Sequence, residues 1–353
     1  MKFIHIADTH LGFVPDAGRA WNRRSERDLW DSLSEVFQIA EDEKIDVILI
    51  AGDLFHRQPL MRELKEFDYL CSKLTHTLVV FIAGNHDYMH PKSNYRRFTF
   101  AKNVRFLSAN ELSMVELKEY NACIYGFSYW QKEQKEPRYD GIKPKDTEKI
   151  NILLGHGGDA KHIPFRETTF RGSGFDYVAL GHIHKGGQII RNRVVMAGAL
   201  EPTDCNDIGP HGYWMGEVTK RGCEVSFFPI RKCEYVLHPI QVHENMTSIQ
   251  ILEQIKNDLK TKKAYQYYKI ILEGTYDLDL DLKTEQILEL PGIAAVESRL
   301  LPAYDFKRLK AEYRNTLLEK YINRIEKLPQ NMVTKQAMYY GVDALYQTRD
   351  DTW

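Results

Sequence analysis

Five short polar clusters carry the residue types that bind divalent metals: Asp8-Thr9-His10, Gly52-Asp53, Gly84-Asn85-His86-Asp87, Gly155-His156 and Gly181-His182-Ile183-His184. Carboxylate, amide and imidazole donors suit hard or borderline divalent ions, whereas a structural zinc site would favour paired thiolates. Two such ions held side by side can clamp the attacking and leaving oxygens of a phosphoryl displacement, and one carboxylate can bridge them through its two oxygens. Asp53 is the candidate bridge. Asp8, His10 and His184 are assigned to one ion, and Asn85, His156 and His182 to the other. His86 follows a ligand directly and points differently from it, which suits a general acid protonating the leaving oxygen better than a further ligand.

Each cluster follows an apolar run that reads as a buried strand, at residues 3–7, 47–51, 78–83, 150–154 and 177–180. In an open α/β sheet the carboxyl ends of neighbouring strands converge on one crevice, so residues distant in sequence can meet there. Between the strands, Leu29, Leu33, Val36, Phe37 and Ala40 mark one amphipathic helix, and Leu64, Phe67, Leu70, Cys71 and Leu74 another. Further strands at 122–125, 194–197, 213–218 and 224–229 point to mixed sheets packed face to face between helices. Taken singly, each cluster has an ordinary reading: Asp-x-His at a strand end as a cap or turn, Gly-His-Ile-His as surface histidines. Their succession in one chain argues for a site.

In this order the clusters resemble the calcineurin-like metallophosphoesterases. The run Gly52-Asp53-Leu54-Phe55-His56 differs from the Gly-Asp-x-Val-Asp-Arg-Gly pattern of protein phosphatases and is similar to the DNA-repair exonuclease branch, the SbcD-type nucleases. So are the stretch from Met196 to Thr203 and the pair Gly212-Tyr213. The resemblance covers roughly the first 230 residues. Ala199, where many relatives have Ser, and Gly157-Gly158 after His156 depart from the pattern without removing a ligand.

The resemblance implies an α/β fold, a four-layer α/β/β/α sandwich with a small α+β capping domain and a C-terminal helical tail. It carries the metal ligands onto Asp8, His10, Asp53, Asn85, His156, His182 and His184, the catalytic histidine onto His86, and a place near the substrate phosphate onto His56. The cofactors it implies are two divalent metal ions, manganese by resemblance, although the donors also accept iron, cobalt or zinc. The expected activity is that of a two-metal DNA exonuclease or endonuclease hydrolysing phosphodiester bonds at DNA ends in repair or recombination. Two alternatives stay open. A small-substrate phosphodiesterase or phosphatase would use the same site, because the metals read only a phosphoryl group. A non-catalytic binding scaffold would not need all eight positions filled with competent residues, as they are here.

At 353 residues the chain exceeds what one core usually supports. The expected division is a nuclease domain over 1–232, a capping domain over 233–302 and a helical tail over 303–353. The formal net charge is −1, so no overall basic field advertises nucleic acid and DNA must be held by local patches. Candidates are Arg23 and Arg24, close to Trp21, and Arg96 and Arg97, between Tyr95 and Phe98. His5 alternates with apolar neighbours and reads as a packed core residue. Residues 131–149 read as an exposed charged loop.

Five cysteines without a Cys-x-x-Cys pair suggest reduced thiols. With no signal-peptide core and no apolar run long enough to span a bilayer, the expectation is a cytoplasmic protein with no membrane partner. A strand-helix-strand-helix-strand order over residues 236–300 makes the small α+β unit. In the tail, Phe306, Leu309, Tyr313, Leu317, Tyr321, Ile325 and Leu328 draw one stripe along a single long helix. The stripe either packs on its own domain or, by resemblance, docks a coiled-coil ATPase of the SbcC type. Residues 330–353 are expected to be loosely ordered. A homodimer, which the resemblance suggests, would use the 29–40 helix or loops near Tyr95.

Overall fold

Alternation with period two decides which way each strand of the N-terminal region faces. In β1 (Lys2–Ile6), β2 (Val47–Ala51) and β3 (Leu78–Ile82), Phe3, Val47, Leu49, Val80 and Ile82 point to one side, and Ile4, Ile6, Ile48, Ile50, Val79 and Phe81 to the other. Both faces are apolar because both are covered, as parallel strands require. The computed structural model describes residues 1–19, 22 and 24–348. The chain forms two compact units, one of Met1–Val236 with Tyr265–Tyr267, the other of Leu237–Ala264 with Tyr268–Trp353.

In the first unit, β1, β2, β3 and β4 (Val104–Phe106) pair in parallel. A second sheet is built from β5 (Ser113–Leu117), β6 (Ala122–Gly126), β7 (Ile150–His156), β8 (Tyr177–Gly181), β9 (Gly187–Ile190) and β10 (Val194–Met196), in the order β5-β6-β7-β8-β10-β9. The chain then returns to the first sheet with β11 (Gly209–Thr219), antiparallel to β1, followed by β12 (Gly222–Val242) beside β11. Phe3, Leu49 and Val80 of the first sheet meet Ile124, Ile152, Leu154 and Tyr177 of the second in one core.

Helices α1 (Glu26–Asp42) and α2 (Met61–Ser72) cover the outer face of the first sheet. Leu29, Leu33, Val36, Phe37 and Ala40 are buried there, each large side chain contributing roughly 1.5–3 kcal/mol. The outer face of the second sheet is covered by the short α3 (Glu167–Phe170) and irregular chain. This is the four-layer α/β/β/α arrangement. The 131–149 loop is more than an exposed connector, because Tyr139 inserts from it into the core against Phe127 and Phe170. Of the elements expected at a homodimer, the apolar face of α1 lies in the core, and Tyr95 is itself buried with its hydroxyl on Asp87 while Arg96 and Arg97 beside it are exposed.

The second unit contains α4 (Ser248–Asp258), β13 (Gln266–Tyr276), α5 (Thr284–Leu288) and β14 (Ile293–Pro302), with β13 and β14 parallel. Ile240, Val242, Ile251, Ile255, Ile270, Leu272, Ile287 and Ile293 form its core. Two strands expected at 224–229 and 236–242 are one, β12, which runs through the boundary between the units. The expected long tail helix is broken: α6 (Phe306–Glu312) stops at Tyr313, Asn315 takes a left-handed φ of 67°, and α7 (Leu317–Glu326) starts after Thr316. Of the stretch expected to be loose, residues 332–347 are helical, and residues 349–353 lie outside the described residues. Asn331 caps α8 (Met332–Gln347) by accepting the Thr334 N–H at 3.0 Å. Leu309, Leu318, Ile322, Met338 and Val342 form a small core among these three helices. Among the described residues no helix is long and apolar enough to cross a membrane.

Candidate metal centre

Every proposed ligand sits at or just beyond the carboxyl end of a parallel strand: Asp8 and His10 after β1, Asp53 after β2, Asn85 after β3, His156 closing β7, and His182 and His184 after β8. The chain turns sharply there. Asp8, His10, Asp53 and His182 have φ of 50°, 45°, 49° and 98°, a left-handed backbone that costs non-glycine residues about 1–3 kcal/mol each. Backbone hydrogen bonds hold it: Asp8 N–H to the Gly52 carbonyl at 3.1 Å, His10 N–H to Asp53 at 3.1 Å and Leu11 N–H to Leu54 at 2.9 Å. Gly84 is needed for closeness, since a Cβ there would collide with the Asp53 carboxylate and lie 2.7 Å from His156 Nε2.

The donors fall into two sets whose metal-binding atoms lie within 4.8 Å of one another: Asp8, His10 and His184, and Asp53, His156 and His182. In the first, His10 Nε2 and His184 Nε2 face each other at 3.1 Å. In the second, the Asn85 side-chain oxygen lies 3.0 Å from His156 Nε2 and 2.9 Å from His182 Nδ1. Asp53 Oδ2 is 3.4 Å from His156 Nε2, while its Oδ1 accepts the His86 N–H at 2.8 Å. Asp8 Oδ1 is buried with no hydrogen-bond partner, a costly arrangement unless a cation satisfies it. The residues present therefore fit a pair of divalent ions.

The electrostatics point the same way. Burial opposes charging His156, yet the Asp53 and Asp8 carboxylates raise its pKa to about 9. His184 is likewise raised to about 9, the Asp207 and Asp8 carboxylates overcoming burial. Burial also opposes charge on Asp53, but His156, His10 and His86 hold it below the usual carboxylate range. Burial raises Asp8 to about 6, despite His156 and His184. His182 falls to about 4 through burial and the neighbouring His156. Carboxylates that draw protons onto adjacent imidazoles also attract cations, and a metal binding there displaces those protons.

His86 and His56 stand together beside the first set. His86 Nδ1 donates to the His56 carbonyl at 2.9 Å, and the His10 and His86 ring centroids are 4.9 Å apart. His56 Nδ1 lies 3.4 Å from His10 Nδ1, and its ring stacks on Phe13 at 4.2 Å. Burial and His86 lower the His56 pKa to about 4.

The arginines divide. Arg96 and Arg97 are exposed at the end of a short turn of 3-10 helix. Arg24, proposed for substrate phosphate, is instead buried. Its side chain is 6% exposed, with Nη2 3.0 Å from Glu201 and Nη1 donating to the Pro202 carbonyl at 2.6 Å, so the guanidinium is committed to the fold. Arg23 lies outside the described residues. His5 is buried as expected, its Nδ1 3.0 Å from the Tyr177 hydroxyl.

Several supporting residues escape a reading of the sequence. Asp87 accepts from Gly84 N–H at 2.8 Å, Phe55 N–H at 3.2 Å and Tyr95 hydroxyl at 2.7 Å, pinning the third loop to the second. Tyr139 donates to the His156 carbonyl at 2.8 Å and accepts its N–H at 2.7 Å. Asp159 lies 2.9 Å from His182 Nε2, and Asp207 lies 3.1 Å from His184 Nδ1. Asp87 closes the third cluster, but no role was assigned to it there. The others are ordinary loop residues until the loops close.

Residues 1–186, more than half of the chain, match the calcineurin-like phosphoesterase family model. The chain belongs to that family of metallophosphoesterases, which are hydrolases. Among curated proteins, it is similar to the uncharacterized metallophosphoesterase YhaO of Bacillus subtilis, 28% identical over 78% of this chain and 72% of that one. A component of the nuclease SbcCD of Staphylococcus epidermidis is 26% identical over 84% of this chain and 85% of that one. The DNA double-strand break repair protein Mre11 of Methanocaldococcus jannaschii is 32% identical over 52% of each chain, so this chain spans about half the length of that relative.

Proposed function

We propose that this chain is a two-metal DNA nuclease that hydrolyses phosphodiester bonds at DNA ends in repair or recombination. The observation that carries the reading is the convergence of Asp8, His10 and His184 with Asp53, Asn85, His156 and His182 in one crevice, with His86 beside them. The nuclease and break-repair names of the staphylococcal and archaeal relatives support DNA as substrate. Two divalent ions held by these seven residues, manganese by resemblance, would supply Lewis acidity toward the phosphoryl oxygens.

The remaining chemistry belongs to the chain. With its Nδ1 on the His56 carbonyl, His86 has a fixed ring orientation and delivers its proton to the leaving oxygen from Nε2. His56, half-buried and braced against Phe13, offers its outer nitrogen to a phosphate oxygen. Arg96 and Arg97 contact the DNA backbone. Residues 233–302 act as a cap that helps position DNA. The three tail helices, which expose Leu317, Met332, Val333 and Tyr340, dock a coiled-coil ATPase of the SbcC type in the cytoplasm.

The test is manganese-dependent cleavage of an end-labelled linear duplex by the pure chain, beside Asp53→Ala and His86→Ala. Wild type cuts, Asp53→Ala neither cuts nor holds both ions, and His86→Ala keeps its metal while losing roughly 10²–10⁴-fold in rate. Intact DNA together with hydrolysis of a chromogenic phosphodiester through the same residues would transfer the site to small substrates and remove the nuclease reading.

A further inference from the structure

His182 and His184 come from one four-residue run, yet they turn opposite ring nitrogens toward the donor sets. His184 presents Nε2, 3.1 Å from His10 Nε2, whereas His182 presents Nδ1, 2.9 Å from the Asn85 oxygen. The nitrogens facing away each meet an aspartate: His184 Nδ1 lies 3.1 Å from Asp207 Oδ2, and His182 Nε2 lies 2.9 Å from Asp159 Oδ2. We propose that Asp207 and Asp159 are positioning residues that decide which nitrogen each histidine offers to a metal. The inference rests on the reading of His182 and His184 as ligands.

The chemistry is direct. An ionised carboxylate can only accept, so the ring nitrogen facing it carries the proton and the opposite nitrogen keeps its lone pair. Both carboxylates are themselves anchored. Asp207 Oδ2 accepts the Thr203 N–H at 2.8 Å and the Thr203 hydroxyl at 2.7 Å. Asp159 Oδ1 accepts the N–H groups of Lys161 at 2.7 Å and His162 at 2.9 Å, and the carboxylate lies 2.9–3.0 Å from His162 Nδ1. The outer nitrogens of the other two imidazole ligands meet uncharged groups instead, His156 Nδ1 the Ala51 carbonyl at 2.8 Å and His10 Nδ1 the His56 ring at 3.4 Å.

Asp159, His162 and His182 also lie close enough to form a third cation site. That arrangement would require His182 to give up both ring protons to serve an ion at each nitrogen, whereas a hydrogen bond to Asp159 keeps the ring neutral. The positioning role is the less costly one.

The apo protein would be titrated calorimetrically with Mn²⁺, with no DNA present, beside Asp207→Asn, Asp159→Asn and the length variant Asp207→Glu. Loss of an outer carboxylate typically weakens metal binding about 10–100-fold. Asp207→Asn should weaken one of two Mn²⁺ sites by that factor, Asp159→Asn the other, and Asp207→Glu should recover part of the loss. Far-UV circular dichroism separates this from misfolding. In the Zn²⁺-loaded protein, ¹⁵N-histidine NMR should show opposite protonated nitrogens for the two ligands, with the pattern blurred in Asp207→Ala and Asp159→Ala.

Wild-type affinity at both sites in both Asn variants would overturn the proposal. So would three Zn²⁺ per wild-type chain falling to two in Asp159→Asn, which would make Asp159 a ligand. A wild type that binds no pair of ions would remove the metal reading and this inference with it. A chain that binds its ions as expected but leaves DNA intact would affect only the nuclease assignment.

Discussion

Gly84 shows how little room the centre leaves. Its backbone is not left-handed, so alanine there would be tolerated by the chain itself, but the added methyl would strike the Asp53 carboxylate and crowd His156. Gly84→Ala should therefore destabilise by about 1–3 kcal/mol in urea unfolding and abolish binding of at least one Mn²⁺. Wild-type metal affinity in this variant would mean that the loop relaxes freely. His5 makes a different prediction. Burial lowers its pKa from 6.5 to about 3, so the folded state keeps it neutral while the unfolded chain protonates it. The stability linked to a neutral His5 is fully present above pH 6.5 and is lost as pH falls toward 3, at about 1.4 kcal/mol per pH unit. Denaturant unfolding at pH 7 and pH 5 should show wild type losing more stability than His5→Gln, and equal losses would contradict the burial argument. At this scale the proposed ligands were legible as a converging set because each is a polar residue at or just beyond the end of an apolar strand. Asp159 and Asp207 were not, because their role depends on where a loop closes in space, and nothing in their local sequence distinguishes them from turn residues.

Among the elements, strand readings held where burial was two-sided and the run short, as in residues 47–51. The tail misled for a physical reason. The stripe from Phe306 to Leu328 keeps its three- and four-residue spacing across the break at Asn315, so periodicity reports that each piece has one buried face but cannot detect that the pieces fold back on a third helix. The third helix packs through Met338, Val342 and Leu345 at helical spacing, and a glycine lets it approach its neighbour. Gly341 lies against the Tyr321 ring of α7, whose hydroxyl donates to the Ala337 carbonyl at 2.7 Å, and a Cβ there would overlap that ring. Glycine inside a helix normally costs about 1 kcal/mol against alanine. Here Gly341→Ala should destabilise instead, raising hydrogen exchange across α7 and α8 while leaving Mn²⁺ binding in the first unit unchanged. A stabilised tail would show that Tyr321 can turn aside at little cost.

For the whole molecule, the decisive quantity is a net charge of −1 on 353 residues. A chain so nearly neutral draws no general attraction to a polyanion, so any affinity for DNA must come from a few placed cations and must weaken with salt in proportion to their number. With Arg24 locked to Glu201 and Arg23 outside the described residues, Arg96 and Arg97 are the exposed candidates to be tested for that load. Each phosphate contact contributes a slope of about −0.9 to log affinity against log salt on duplex DNA. Arg96→Gln with Arg97→Gln should therefore make the slope shallower by roughly 2. Hydrolysis of a small chromogenic phosphodiester should be unaffected, because the metal ligands are untouched. Salt-dependent binding of a labelled duplex reads this directly: an unchanged slope would move the DNA track to another face, and a matching loss of small-substrate turnover would mean that the two arginines support the metal loop instead of the DNA.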